Sequence, residues 1–162
     1  MTIAFNLLHQ HIHMFVRDNA QWQTLIADDL LWELPYAPSL GHPARLTRRQ
    51  EVVNHVTWFL GAVENFRFFD VKVYAFADSE AAVAEFRAEG LIKSTGRVYV
   101  QNYVLFLQAV GGKIIFLREY FDPVQAAGAE YADSRPRILR TTGAIKGTFG
   151  EREIKVDRKS VV

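Results

Sequence analysis

The stretch that decides the fold is FRFFDVKVYAFADSEAAVAEFRAEGLIKSTGRVYVQNYVLFLQAVGGKIIFLREYF, residues 66–121. It is rich in Val, Phe and Tyr, and short turn signals break it into four runs: Phe66–Ala77, Ala81–Ile92, Val98–Ala109 and Lys113–Phe121. β-Branched and aromatic residues suit a pleated surface, so each run reads as a long strand. The connections DSE at Asp78, KSTG at Lys93 and GG at Gly111 are too short for crossovers. Sequential strands joined this tightly form an antiparallel meander.

Upstream, the pattern changes to helical spacing. Residues Ile3–Val16 place Leu7, Leu8, Ile12 and Phe15 on one face, and Asp18 or Asn19 can cap a short second helix carrying Trp22. ADDLLWELP (Ala27–Pro35) reads as a helix exit and a short strand, and Tyr36–Leu46, with Pro38, Gly41 and Pro43, as a loop. Thr47 and Gln50 match a capping box before a third helix to about Ala62, whose stripe is Val52, Val56, Phe59, Leu60 and Val63. Helices first and strands after predict an α+β domain, its three N-terminal helices packed in a strongly curved antiparallel sheet. We assign residues 1–132 to this domain. Residues 133–162 form a polar extension with eight Lys or Arg against four Asp or Glu. It reads either as a partly ordered tail or as an arm contacting a partner through Ile138, Leu139, Ile145 and Phe149.

Composition narrows the function classes. A chain of 162 residues with 19 basic and 18 acidic side chains has no electrostatic case for nucleic acid or an anionic membrane. With no cysteine, thiolate nucleophiles, zinc fingers and iron–sulfur clusters are excluded. No apolar run approaches the roughly 20 residues a spanning helix needs. The first ten residues lack a basic segment ahead of an apolar one, so we expect no secretory signal and a cytoplasmic protein. Aromatics at 13% suit a large core, an apolar cavity or a subunit interface.

Strand parity supplies the candidate chemistry. On the last strand Ile115, Leu117, Glu119 and Phe121 share a face, which puts a carboxyl among apolar neighbours. Burial disfavours its charged form and raises its pKa, a useful state for a general acid or base near neutral pH. The alternative is a Glu paired with a neighbouring Arg or sitting at the sheet edge. One strand earlier, Val100, Asn102, Val104 and Phe106 share a face. Asn102 then either orients a ligand or ties down a backbone group. On the third helix His55 flanks the apolar stripe, one turn from Val52, Trp58 and Phe59, as a proton-transfer candidate or a structural His. His9 and His13 share a helix face but lack a third ligand at metal-site spacing, so no metal is expected. Glu85, Arg87 and Glu89 alternate with Ala84, Phe86 and Ala88, the mark of a solvated or cross-strand-paired face. Two apolar sheet faces need a cover, and we expect a homodimer packed through the sheet.

This order of elements, with LIADDLLWELP (Leu25–Pro35), GGKI (Gly111–Ile114) and REYFDPVQA (Arg118–Ala126), resembles the nuclear-transport-factor-2-like (NTF2-like) superfamily, and REYFDPVQA its SnoaL-like branch. The resemblance implies a cone with a deep apolar cavity. It also implies cofactor-independent chemistry of the isomerase, cyclase or dehydratase kind, or a non-catalytic binding or dimeric scaffold module. NHVTW (Asn54–Trp58), YVQNYV (Tyr99–Val104) and REYFDP are similar to segments of the phenazine-biosynthesis PhzA/PhzB family. That likeness maps the family's cavity Glu and His onto Glu119 and His55. It assigns Trp58 and Asn102 to positioning a small apolar or aromatic ligand. Phe59 and Val100 stand where the family carries a Ser and a Tyr, which implies a more apolar substrate or lost activity. Trp32 and Leu34 fall at the exit of the first strand, and Leu34 occupies the place of the ketosteroid-isomerase catalytic Asp, so steroid isomerisation in its usual form is not expected.

Overall fold

A computed structural model describes residues 2–77, 80–131, 148–149 and 152–153. The chain divides into two units, Met1–Ala132 and Asp133–Val162. In the second, the described residues are two short paired strands, Thr148–Phe149 and Arg152–Glu153. Of the arm's anchors, Ile138, Leu139 and Ile145 lie outside the described residues, and Phe149 is described only as strand.

The first unit opens with helix α1, Ile3–Arg17, started by the Thr2 hydroxyl accepting from the Phe5 amide. Leu7, Leu8, Ile12 and Phe15 are buried along one face. Helix α2, Asn19–Gln23, is capped by the Asp18 carboxylate, which accepts from the Gln21 amide, and drives Trp22 into the core. Strand β1, Ile26–Glu33, follows, then a 3₁₀ turn at Ala37–Leu40, strand β2, Arg45–Thr47, and helix α3, Arg48–Ala62. The loop expected over Tyr36–Leu46 thus holds a helical turn and starts a strand. The capping partner at α3 is Glu51 rather than Gln50: its carboxylate accepts from the Thr47 amide at 2.8 Å and hydroxyl at 3.0 Å.

Strands β3, Val63–Ala75, β4, Ala81–Ile92, β5, Arg97–Val110, and β6, Lys113–Phe121, form the meander, and helix α4, Pro123–Glu130, ends the unit. The spatial order is β2-β1-β6-β5-β4-β3. The meander is antiparallel, but β1 joins β6 in parallel, so the six-stranded sheet is mixed. The intervening chain between β1 and β6 is long enough to permit that pairing.

Curvature has visible causes. The β3–β4 ladder slips between Glu64 and Arg67 and again between Phe69 and Lys72. Asn65 and Asp70 sit in these slips at φ 52°, a left-handed conformation that Asn and Asp tolerate. Gly90 of β4 permits the bend: a Cβ there would stand 2.5 Å from Val63 Cγ1 and 3.2 Å from the Glu64 carbonyl oxygen. Small residues Ala82, Ala84 and Ala88 floor the concave face, and α1 packs over the sheet. The convex face carries the charges: Arg67 meets Glu89 at 2.5 Å and Arg87 meets Asp70 at 3.3 Å. Exposed pairs of this kind contribute little stability. No helix among the described residues is long and apolar enough to cross a membrane.

Candidate active site

The concave face, α3, the 3₁₀ turn and α4 surround a cavity of about 80 Å³. That is narrower than the roughly 150 Å³ that accepts benzene in an engineered apolar cavity. Trp58 in its lining is 50% exposed, so the cavity reaches the surface there, and a single ring extending past this rim is the upper limit of what it admits.

Glu119 of β6 lies on its wall. The β5–β6 register sets Leu105 beside Glu119 and Tyr103 beside Phe121, while Leu117 is fully buried next along the face. The surface Glu119 retains faces the cavity. Among the described residues its carboxyl has no hydrogen bond and no ion pair. The neighbouring Arg118 is committed to the convex face, where it donates to Glu33 at 2.7 Å, because β1 sets Glu33 directly beside it. With burial as the sole cause and no cation to offset it, the Glu119 pKa is pushed up to about 8.

The mouth holds a second titratable group. His55 on α3 is partly buried, and its pKa is lowered by desolvation and then by nearby His42. Trp58, half exposed, touches both imidazoles, its ring centroid 5.5 Å from His55 and 5.3 Å from His42. His42 Nε2 stands 3.8 Å from a carboxylate oxygen of Glu130 on α4. Burial raises the Glu130 pKa, and His42 partly offsets this.

Phe59, Trp32 and Leu34 also line the cavity. The Trp32 indole N–H is buried with no acceptor among the described residues, a state that costs about 1–3 kcal/mol. Asn102 and Val100 do not reach the site. Both lie on the convex face: Val100 is 40% exposed and Asn102 lines an outer groove. The physical reason is a bulge. Val110 and Ala109 pair with Lys113 and Ile114, but Gln108 then pairs with Phe116, so one β6 residue is skipped. A one-residue slip exchanges the faces of a strand, and the odd-numbered residues of β5 share the concave side with Glu119.

The residues missed by parity are therefore Tyr99, Gln101 and Tyr103, all buried. Tyr99 and Tyr103 line the cavity with their hydroxyls 2.8 Å apart. Burial, with the nearby carboxyl of Glu119, pushes the Tyr99 phenol up to about 12 and Tyr103 well above its ordinary value, although their mutual bond lowers the former. His42 and Glu130 were also missed, since their meeting joins a loop and a helix far apart in sequence. Two tyrosines and a glutamine at alternate positions of one strand were the available signal.

The three histidines of α1 separate by face. His9 and His13 are exposed. His11 is buried, accepts the Trp22 indole proton at Nδ1 (2.9 Å), and its pKa falls to about 3 through desolvation. No group of three His, Cys, Asp or Glu among the described residues is arranged to hold a metal ion.

Comparison with known proteins fits this architecture. A SnoaL-like domain matches residues 9–117. An uncharacterised PhzA/B-like protein of Pseudomonas aeruginosa is 30% identical over 108 residues, 67% of this chain and 75% of its own. The crystal structure of a candidate isomerase from Bacillus subtilis superposes with a TM-score of 0.73 at 26% identity, covering 80% of this chain and 94% of that one. A phenazine biosynthesis-related protein of Pseudomonas aeruginosa shares the fold, with a TM-score of 0.64 at 18% identity over 78% of this chain and 86% of its own. The chain belongs to the SnoaL-like family and carries the NTF2-like fold.

Proposed function

We propose that the protein is a small-molecule acid/base enzyme of secondary metabolism, located in the cytoplasm, acting on a compact, mostly apolar carbonyl or imine compound. The observation that carries this is an unpartnered carboxyl on the wall of an apolar cavity whose mouth holds a neutral imidazole. Opposite shifts give the two groups distinct roles. At pH 7 Glu119 is mainly a carboxylic acid and donates its proton to the carbonyl oxygen or imine nitrogen. His55 is mainly neutral and accepts a proton from an adjacent C–H or N–H. The proton then returns from His55 to the Glu119 carboxylate, through product or water, and the enzyme is restored. Isomerisation, dehydration, cyclisation and condensation all use this exchange. Trp58, Phe59, Trp32 and Leu34 hold the apolar body of the ligand.

A one-ring ketone tests the reading. In D2O the protein should accelerate hydrogen–deuterium exchange at the methyl group of acetophenone, followed by NMR. Glu119→Gln should lose that acceleration while acetophenone binding changes little. Exchange unchanged in the variant would remove Glu119 from the chemistry. Binding with no exchange in the parent protein would favour a non-catalytic ligand-binding module.

We also propose that a second copy covers the convex face. Val71, Tyr74, Val98, Val100 and Val110 are exposed there or along the strand ends, and Asp70, Glu85, Lys72 and Arg87 interleave both signs of charge. Such a patch can complement itself about a two-fold axis. Light scattering should give a dimer at micromolar concentration, and a monomer would contradict this.

A further inference from the structure

The polar network behind the cavity starts at Gln101, whose amide orientation is readable from its partners. Its side-chain oxygen accepts from the Asp122 amide at 2.7 Å and from the Asn102 amide at 3.0 Å. Two backbone donors on one atom require that atom to be the carbonyl oxygen. The other end is then the NH2 group, which donates to the Asp122 carbonyl oxygen at 2.9 Å and to the Tyr99 hydroxyl at 3.4 Å. Tyr99 therefore accepts on its oxygen from Gln101, and it shares a further hydrogen bond with the Tyr103 hydroxyl, 2.8 Å away, that either oxygen can donate. A count then leaves one proton over. Two hydroxyls carry two protons, and their shared bond consumes one. The second has no acceptor among the described residues.

Tyr103 is fixed in place by its neighbours. Its ring stacks on Phe86 at 5.1 Å and 22°, and Phe68 meets it edge-on at 6.1 Å. Strand pairing places it beside Phe121, and Tyr103, Phe121 and Glu119 all line the cavity. A buried donor without a partner costs about 1–3 kcal/mol, and one that belongs to a donor chain is polarised by the bonds behind it.

We infer that Tyr103 is a substrate-binding donor: its hydroxyl proton, freed by the Gln101–Tyr99 chain, hydrogen-bonds a carbonyl oxygen or other neutral acceptor of the bound ligand, and Gln101 is the positioning residue that sets the chain's direction. The inference rests on reading the cavity as a ligand site. It deepens that reading by requiring an acceptor atom on the ligand, fixed by Tyr103 while Glu119 moves the proton. Both phenols stay protonated through the neutral range, because burial raises their pKa values.

Two measurements test it. In the ligand-free protein, NMR of the tyrosine hydroxyl protons should show Tyr99 in slow exchange with water, since it is enclosed by Gln101 and Tyr103. The Tyr103 proton should exchange fast. The reverse pattern overturns the assignment, whether or not any ligand is found. The second uses acetophenone labelled with carbon-13 at the carbonyl. Its carbonyl resonance should move downfield on binding, lose that shift in Tyr103→Phe, and keep part of it in Tyr99→Phe. Gln101→Glu should lose the shift with both tyrosines in place, because a carboxylate accepts from Tyr99 and turns the chain round. A purely structural role for Gln101 predicts a retained shift. Loss in Tyr99→Phe with retention in Tyr103→Phe overturns the proposal. If Glu119→Gln leaves methyl exchange unchanged while the carbonyl shift follows Tyr103, the acid/base reading fails and the donor stands. If exchange depends on Glu119 but the shift ignores Tyr103, the donor fails and the acid/base reading stands.

Discussion

Two desolvated polar groups of the first unit have opposite fates. His11, near the α1–α2 corner, receives the Trp22 indole proton and is walled by Phe15, Trp22 and Trp32. Glu119, on β6, has no partner among the described residues and faces free space. Both are shifted by desolvation toward their neutral forms, His11 down to about 3 and Glu119 up to about 8. A perturbed pKa alone therefore does not separate a structural group from a reactive one. Unfilled hydrogen-bonding capacity beside a cavity does.

The comparison breaks most visibly at the sealed corner. Trp22→Ala removes a fully buried ring that also feeds His11. It should destabilise the fold by about 3–5 kcal/mol, read by urea unfolding. A cost below about 1 kcal/mol would mean that the corner is not the packing centre described above.

The next effect concerns pH and has opposite signs at the two sites. The folded pKa of Glu119 lies above its ordinary value, so the native state binds the extra proton. Stability is then full at acidic pH and falls as pH rises from about 4.5 through about 8. Glu119→Gln should remove this loss and be more stable than the parent at pH 9 by up to a few kcal/mol. For His11 the folded pKa is depressed, so its contribution is full above about 6.5 and declines as pH falls toward 3. Unfolding at a series of pH values in parent, Glu119→Gln and His11→Asn proteins checks both signs. A parent and a Glu119→Gln protein with parallel profiles between pH 5 and 9 would refute the first.

A smaller effect falls on the curvature that shapes the cavity. Gly90→Ala sets a methyl group against Val63 and the Glu64 carbonyl, and should cost about 1–3 kcal/mol. The cost is smaller if β3 shifts at its bulges. Smallest of all is Asn102→Ala. With its side chain on the convex face, both stability and acetophenone binding should stay within about 0.5 kcal/mol of the parent. A large loss of ligand binding would return Asn102 to the cavity.

Much of the architecture was legible because it rests on local signals. The bounds Ala81–Ile92 and Lys113–Phe121 agree with the strand patterns, and α1 and α3 follow their apolar spacing. Glu119 was legible because β6 parity holds from Leu117 onward. Asn102 and Val100 were not, because Val, Phe and Leu populate both faces of β5 and the skipped residue near Ile115 reverses the correspondence between strands. Nothing in GGKI announces that skip. The parallel pairing of β1 with β6 and the meeting of His42 with Glu130 are non-local, and periodicity carries no information about either.

The central claim is that the Glu119 carboxyl is neutral at physiological pH because it is desolvated and unpaired. Carbon-13 NMR of glutamate side chains, with Glu119→Gln providing the assignment, measures this directly. A titration midpoint near 8 is the expected result. A midpoint near the ordinary 4.5 would show a hydrated or ion-paired carboxylate and contradict the account.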